Sequence, residues 1–311
     1  IIFFILAIFC IPFIYLFEYG FSDVFNSLSN LFSTSYLELI FNTFILVSSV
    51  TITTSIIGLF LSWATEICNL KYKKLWKILL IIPLVIPSYF AGYLFILFYG
   101  PKGEFFQFFN NLGIFIHMPK FYGFWGAWLC LSFLCFPYVY INLCSGIKLL
   151  DRKLEEASRV LGYNHFQTFL KIIFPSIRNS MLAGGILVAL YTLSDFGAVS
   201  ALQYNTFTLA IYTKYRSFDF SGAASSSIIL IMLSIPIIYY AISISIINSY
   251  KISQRPSTSK PKLFNLGQYQ TLIQFIMSLI VFVSLVVPFL MIFTLVFRTN
   301  SNLLDIIGKI N

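Results

Sequence analysis

Charged side chains are scarce here: Asp, Glu, Lys and Arg make up 10% of 311 residues. A soluble domain carries about 25%, so the shortage excludes an ordinary soluble fold. Ten-residue stretches of alternating polar and apolar residues are missing too, which excludes a transmembrane β-barrel. No basic segment and small-residue cleavage site mark the start as a secretory signal. The five cysteines form no C-x-x-C pair, and Cys10, Cys130, Cys135 and Cys144 fall in or beside apolar runs. They read as small apolar residues rather than a disulfide framework or metal set. H-E-x-x-H is absent, and Asp195 is the one acid well inside an apolar run. An intramembrane protease of the paired-aspartate or zinc type therefore lacks its chemistry.

What is present is apolar length. Hydrophobic residues make up 59% of the chain, and a helix crossing about 30 Å of hydrocarbon needs roughly 20 of them in a row. Seven runs qualify: about 1–17, 40–64, 77–99, 122–147, 179–201, 222–249 and 271–297. The sequence predicts an all-α integral membrane protein, a polytopic helical bundle with about seven transmembrane helices. Opening on a full span at Ile1 and closing on "DIIGKIN", it reads as a fragment of a longer frame. The net charge of +9 sits in alternate connections: Lys71 to Lys77, Lys148 to Arg178, and Lys251 to Lys262. Residues 18–39 hold Glu18, Asp23 and Glu38 with no Lys or Arg. This asymmetry puts the N-terminus and residues 148–178 in the cytoplasm. Charge here signals topology and not nucleic acid. His117 and His165 then face opposite sides and cannot share a metal.

Residues 251–268, rich in Ser, Pro and Lys, read as a cytoplasmic linker. Before it, 1–250 forms one unit of six spans; after it, 269–311 opens a second, truncated unit. Pro12-Phe13 and Phe17 in the first span match Pro288-Phe289 and Phe293 in the seventh, which suggests a tandem repeat. Pro83 and Pro87 predict a kink in the third span.

One polar interruption stands out: "EEASRVLGYNHFQTFLKIIFPSIRNS", residues 155–180. Leu154, Ala157 and Leu161 fall on one helical face. Gly162 sits where a helix end needs positive φ. Asn164 with Gln167 makes a capping box for a second helix, whose apolar stripe is Phe166, Phe169, Leu170 and Ile173. Pro175 is expected to end that helix before the next span. Residue chemistry alone leaves two readings open: a pair of surface helices, or a docking elbow.

The stretch resembles the "EAA" loop of ATP-binding-cassette importer permeases. That pattern is Glu-Ala-Ala, three residues, Gly, nine residues, Ile, one residue, Leu-Pro. Glu156, Ala157 and Ser158 fill the triplet beside Glu155, Gly162 falls in place, Ile172 follows ten later, and Phe174-Pro175 close it. Ser for the second Ala and Phe for Leu are the departures. The resemblance implies the type I permease fold and a coupling helix that docks on a separate ATPase subunit. Residues 150–178 would form it, with Glu155, Glu156, Ala157, Ser158, Gly162, Phe166, Ile172 and Pro175 as its residues. The chain itself has no G-x-x-x-x-G-K-[ST] loop. It would thus bind no cofactor, and ATP and Mg would sit on the partner ATPase dimer. A periplasmic solute-binding protein, the lipid bilayer of the bacterial inner membrane and the second permease half are the other implied partners.

Residues 184–215, with "DFGAV" and "TFTLAIY", resemble permeases of the ferric-iron importer group. These are tandem fusions, in keeping with the suspected repeat. Similar acids occur in thiamine and polyamine permeases, so these and a phosphonate carrier stay open as substrates. Asp195, with Tyr191, Ser194, Gly197 and Tyr204, would line the upper translocation path, where hard oxygen ligands suit Fe3+. The alternative is a structural carboxylate bonded to neighbouring hydroxyls and backbone where Phe196-Gly197 loosen the helix. A secondary transporter or channel is the competing class; it would need several intramembrane ionisable groups, and it leaves 155–175 unexplained.

Overall fold

The computed structural model describes residues 34–100, 103–114, 121–150, 158, 160–252 and 266–308, with residues 10, 11, 13, 14, 16, 18 and 19. Its regular elements are all helical. Among the described residues, five helical segments are long and apolar enough to cross a membrane: Ser35–Glu66, Phe124–Lys148, Phe169–Ser194, Phe220–Ile244 and Tyr269–Phe297. They match five of the seven predicted spans. The run at 1–17 falls largely outside the described residues, and those described between 10 and 19 are helical.

Helix α1 (Thr34–Glu66) carries many hydroxyls for a span. Several return to its own backbone: Thr53 Oγ1 donates to the Ser49 carbonyl at 2.8 Å and Thr65 Oγ1 to Leu61 at 2.8 Å. Such back-bonding leaves these polar groups satisfied in hydrocarbon.

The third predicted span, 77–99, is not one kinked helix. Helix α2 (Lys73–Leu79) and a 3-10 turn (Ile82–Val85) meet α3 (Ser88–Tyr99) and α4 (Glu104–Asn111) at a bend of 101°. The cause is the pair of prolines. Pro87 pushes Ile86 out of the helical region, to φ −80° and ψ 120°, and is itself extended. One proline kinks; two four residues apart fold the span back.

Helix α5 (Phe124–Lys148) runs through the centre of the bundle, packed between α1 and α7 (Phe174–Ser194). Val139 is clasped from two sides by glycines. A Cβ at Gly58 would lie 2.9 Å from the Val139 Cβ, and one at Gly184 would lie 2.7 Å from its Cα. Between membrane helices, small residues at contacts let backbones approach and gain dispersion contacts. Trp128 Nε1 donates to Thr53 Oγ1 at 2.9 Å, a cross-helix bond between α5 and α1.

Pro175 does not end the second loop helix, contrary to expectation. Short α6 (His165–Thr168) passes through a π-turn (Phe169–Ile173) straight into α7. The widened turn, closed by the Phe174 N–H on the Phe169 carbonyl, makes room for the proline ring that a tight α-turn would clash with. The last span repeats the device. Helix α11 (Tyr269–Val281) meets α12 (Val287–Gly308) through a π-turn (Phe282–Val286) directly before Pro288. Between α7 and α11 lie α8 (Gly197–Ala201), α9 (Phe207–Arg216) and α10 (Phe220–Ile252). The span predicted to reach residue 201 stops at Ser194, where Asp195 turns extended (φ −68°, ψ 124°). Outward-facing Phe41, Phe44, Ile52 and Ile56 on α1 and Leu272, Phe275 and Leu279 on α11 are exposed, as lipid-facing side chains are.

Candidate functional site: the elbow, the acid cluster and the inner polar face

The elbow between α5 and α7 forms as its chemistry dictates. Gly162 has φ +80° and no neighbour within 4 Å of where a Cβ would be. The Tyr163 N–H closes on the Ser158 carbonyl at 3.1 Å, the six-to-one bond of a Schellman end. Asn164 and Gln167 then cap reciprocally: Gln167 N–H to Asn164 Oδ1 at 2.8 Å, and Asn164 N–H to Gln167 Oε1 at 3.1 Å. The two arms are pinned by a hydroxyl pair, Ser158 and Thr168, 3.0 Å apart and buried. Lys171 Nζ lies 4.7 Å from the Tyr163 ring centroid and braces the outer side.

Several expected residues can be placed. Ser158 and Gly162 form the turn, Ile172 sits half-buried in the π-turn, and Pro175 is exposed at the start of α7. Glu155, Glu156 and Ala157 lie outside the described residues, as does the side chain of Phe166. Leu161, read as part of an apolar face, is 75% exposed and Val160 beside it 89%, two apolar side chains presented at the tip.

At the end of α1, Glu66 is buried at 7% exposure. Lys77 Nζ lies 2.6 Å from its carboxylate, Lys148 at 3.8 Å and Lys73 at 3.9 Å. Lys73 also donates to the Glu66 carbonyl at 3.4 Å. One acid thus ties α1, α2 and the last residue of α5, which leads into the elbow. Sequence reading missed Glu66; its signal was an acid at a span end followed by Lys at seven and eleven residues. Beside it, burial pushes the Cys68 thiol up to about 12 against the pull of Lys73, so this thiol is no nucleophile at neutral pH.

The expected path residues separate into two places. Asp195 is buried, and its Oδ2 accepts the Ala198 N–H at 2.8 Å, capping α8. Ser88, at the start of α3 on the far side of the proline bend, lies beside both the Asp195 carboxylate and the Tyr191 hydroxyl. Gly197 makes this possible: a Cβ there would strike Ser88 Oγ and the Tyr89 backbone. Tyr138 stands with its ring 5.8 Å from Tyr191, and the two close one side of a cavity of about 130 Å3 under Pro87. Ser194 is exposed, its hydroxyl returned to the Tyr191 carbonyl at 3.1 Å. Tyr204 belongs elsewhere. Its hydroxyl donates to the Asn42 carbonyl at 3.2 Å, in a strap where Phe207 N–H also reaches Thr43 Oγ1 at 3.2 Å. Ser88 and Tyr138 are the additions that spacing could not supply. Among the described residues no three His, Cys, Asp or Glu side chains gather to hold a metal.

Comparisons with known proteins converge on one kind of molecule. The family model described as "Binding-protein-dependent transport system inner membrane component" matches residues 55–256. Among curated relatives, the Fe(3+)-transport system permease protein FbpB 2 of Haemophilus influenzae is 32% identical over 235 residues, 74% of this chain and 42% of that protein. Sulfate permease 2, chloroplastic, of Chlamydomonas reinhardtii is 30% identical over 163 residues, 50% of this chain and 43% of that protein. The spermidine/putrescine permease protein PotB of Haemophilus influenzae is 26% identical over 229 residues, 71% and 80%. The chain therefore spans less than half the length of two of these three. A solved bacterial alginate ABC transporter, in complex with a pentasaccharide-bound periplasmic protein, shares the fold. Its TM-score is 0.53 at 15% identity, covering 82% of this chain and 96% of that one. With well over half of its length inside the family model and the helical bundle to match, this chain belongs to the family of binding-protein-dependent transport system inner membrane components.

Proposed function

We propose that the chain is a permease of an ATP-binding-cassette importer, with the elbow at 150–178 as the contact for a separate ATPase. The observation that carries this is the elbow itself. Two short helix ends are locked at Gly162 by a Schellman bond, a reciprocal cap and a buried hydroxyl pair, while Val160 and Leu161 are left bare at the tip. A rigid turn with apolar side chains projecting from it suits insertion into a partner's groove. Glu155 and Glu156 would meet cations there. ATP and Mg belong on that partner dimer, and this chain performs no chemistry of its own.

In this reading, residues 1–250 form a first permease half with a cytoplasmic N-terminus, 251–268 a linker, and 269–311 the start of a second half. A periplasmic binding protein delivers the solute, and ATPase closure moves the elbow so that the bundle opens to the other side. Ferric iron is the proposed solute, supported by the "DFGAV" and "TFTLAIY" runs and by likeness to the Haemophilus influenzae Fe(3+) permease. Ser88, Tyr191 and Asp195 would offer oxygens to the passing ion.

The test uses the full-length complex with its ATPase and binding protein in proteoliposomes. Glu156→Lys should leave assembly in the membrane intact and ATP hydrolysis measurable, with uptake lost. Undiminished uptake would remove the docking role. Uptake of sulfate or spermidine in place of ferric iron would correct the solute and leave the coupling intact.

A further inference from the structure

Lys71, Lys73, Lys74, Lys77 and Lys148 stand where α1 and α5 both end, and among the described residues Glu66 is the one carboxylate within 4 Å of any of them. Lys73 and Lys77 turn toward Glu66. Lys71 and Lys74 are exposed, and among the described residues neither has a carboxylate within 4 Å. The same segment presents an apolar stripe to the outside: Tyr72, Leu75 and Ile78 are 77, 54 and 60% exposed, and Val85 is 79% exposed. Lys74 lies one helical turn before Ile78 on α2, and Lys71 lies just ahead of the helix, so the cations flank the head of the stripe.

We propose that this face of α2 is a binding site for an anionic phospholipid. Lys71 and Lys74, with the largely exposed Lys148, hold the headgroup phosphate. Leu75, Ile78 and Val85 bed the acyl chains. Placement argues for a lipid over a soluble partner. The stripe begins at span-end depth and continues into the proline bend within the bilayer, where a water-soluble protein cannot follow it. Charge decides the lipid class, because unneutralised lysines at the headgroup level attract phosphate that carries net negative charge. The site is independent of the importer reading; it needs only that the chain spans a bilayer.

Trp76, half-buried on α2, supplies the probe. In the full-length protein, every tryptophan but Trp76 is replaced by Phe, Trp63, Trp125 and Trp128 among them, and Trp76 emission is read in phosphatidylcholine nanodiscs. Brominated phosphatidylglycerol should quench it several-fold more than brominated phosphatidylcholine at equal mole fraction. Lys71→Gln with Lys74→Gln should abolish the preference, about fivefold per lysine. Lys71→Arg with Lys74→Arg should retain it, which separates charge from folding. Equal quenching by both lipids would overturn the proposal. So would a glutamine pair that keeps the lipid preference but loses a co-purifying soluble subunit.

Discussion

Gly162 offers a substitution whose local and distant costs can be separated. Its φ of +80° is a region that L-residues enter at roughly 1–2 kcal/mol. No atom lies within 4 Å of the added Cβ, so the cost is backbone strain alone and hardly depends on side-chain size. Gly162→Ala and Gly162→Trp should therefore loosen the Ser158–Thr168 turn equally, shifting its closed-to-open equilibrium about 5–30-fold. Hydrogen exchange at the Tyr163 and Gln167 amides reads that shift. Coupling should differ. Alanine leaves the tip thin enough to dock, whereas tryptophan fills the space a partner needs. The ratio of uptake to ATP hydrolysed should thus fall modestly for Ala and collapse for Trp. Gly113 is the control: φ +76°, also with open space, on the loop after α4. Gly113→Trp should match the strain and leave coupling untouched. Equal coupling in the two Gly162 variants, or equal loss at Gly113, would refute the reasoning.

Ser158→Ala takes away the partner of the buried Thr168 hydroxyl and should cost about 1–3 kcal/mol of local stability; adding Thr168→Val should recover most of it. A double-mutant cycle on exchange protection measures this. Asp195→Asn keeps an oxygen for the Ala198 N–H, so yield and melting should hold while ferric uptake falls at least tenfold; unchanged uptake would remove Asp195 from the path. Gly184→Ala puts a methyl group 2.7 Å from the Val139 Cα, a backbone atom that cannot swing aside. It should lower detergent melting, whereas Gly185→Ala, whose nearest neighbour is at 3.4 Å, should be tolerated. Thermal scans of the two variants side by side give the answer.

Local chemistry was the legible part. Five apolar runs became spans because length and backbone satisfaction leave few alternatives in lipid. The positive φ of Gly162 and the Asn164–Gln167 cap involve residues within six positions of one another, so the sequence contained all their partners. What escaped depends on distant groups. Glu66 gains its meaning from Lys148, on another helix. Ser88 meets Asp195 only because Pro83 and Pro87 fold the third span and Gly197 lets it approach. The path reading groups Tyr204 with Asp195, but the helix stops at Ser194 and the chain turns toward α1. The prolines misled in a consistent way: a proline announces a disturbance, and neighbours decide whether it becomes a sharp break, as at Pro87, or a wide turn that carries on, as at Pro175.

Those wide turns have a mechanical implication. Each stores one residue more than the α-helix on either side, and expelling that surplus would swing everything beyond it by about 100° around the axis. The turn at Phe169–Ile173 lies where the elbow joins its span, and its counterpart at Phe282–Val286 touches the 3-10 bend of the third span. A short shove at the water-side tip could then be converted to twist at the bilayer's midplane, with no helix having to unfold along the way.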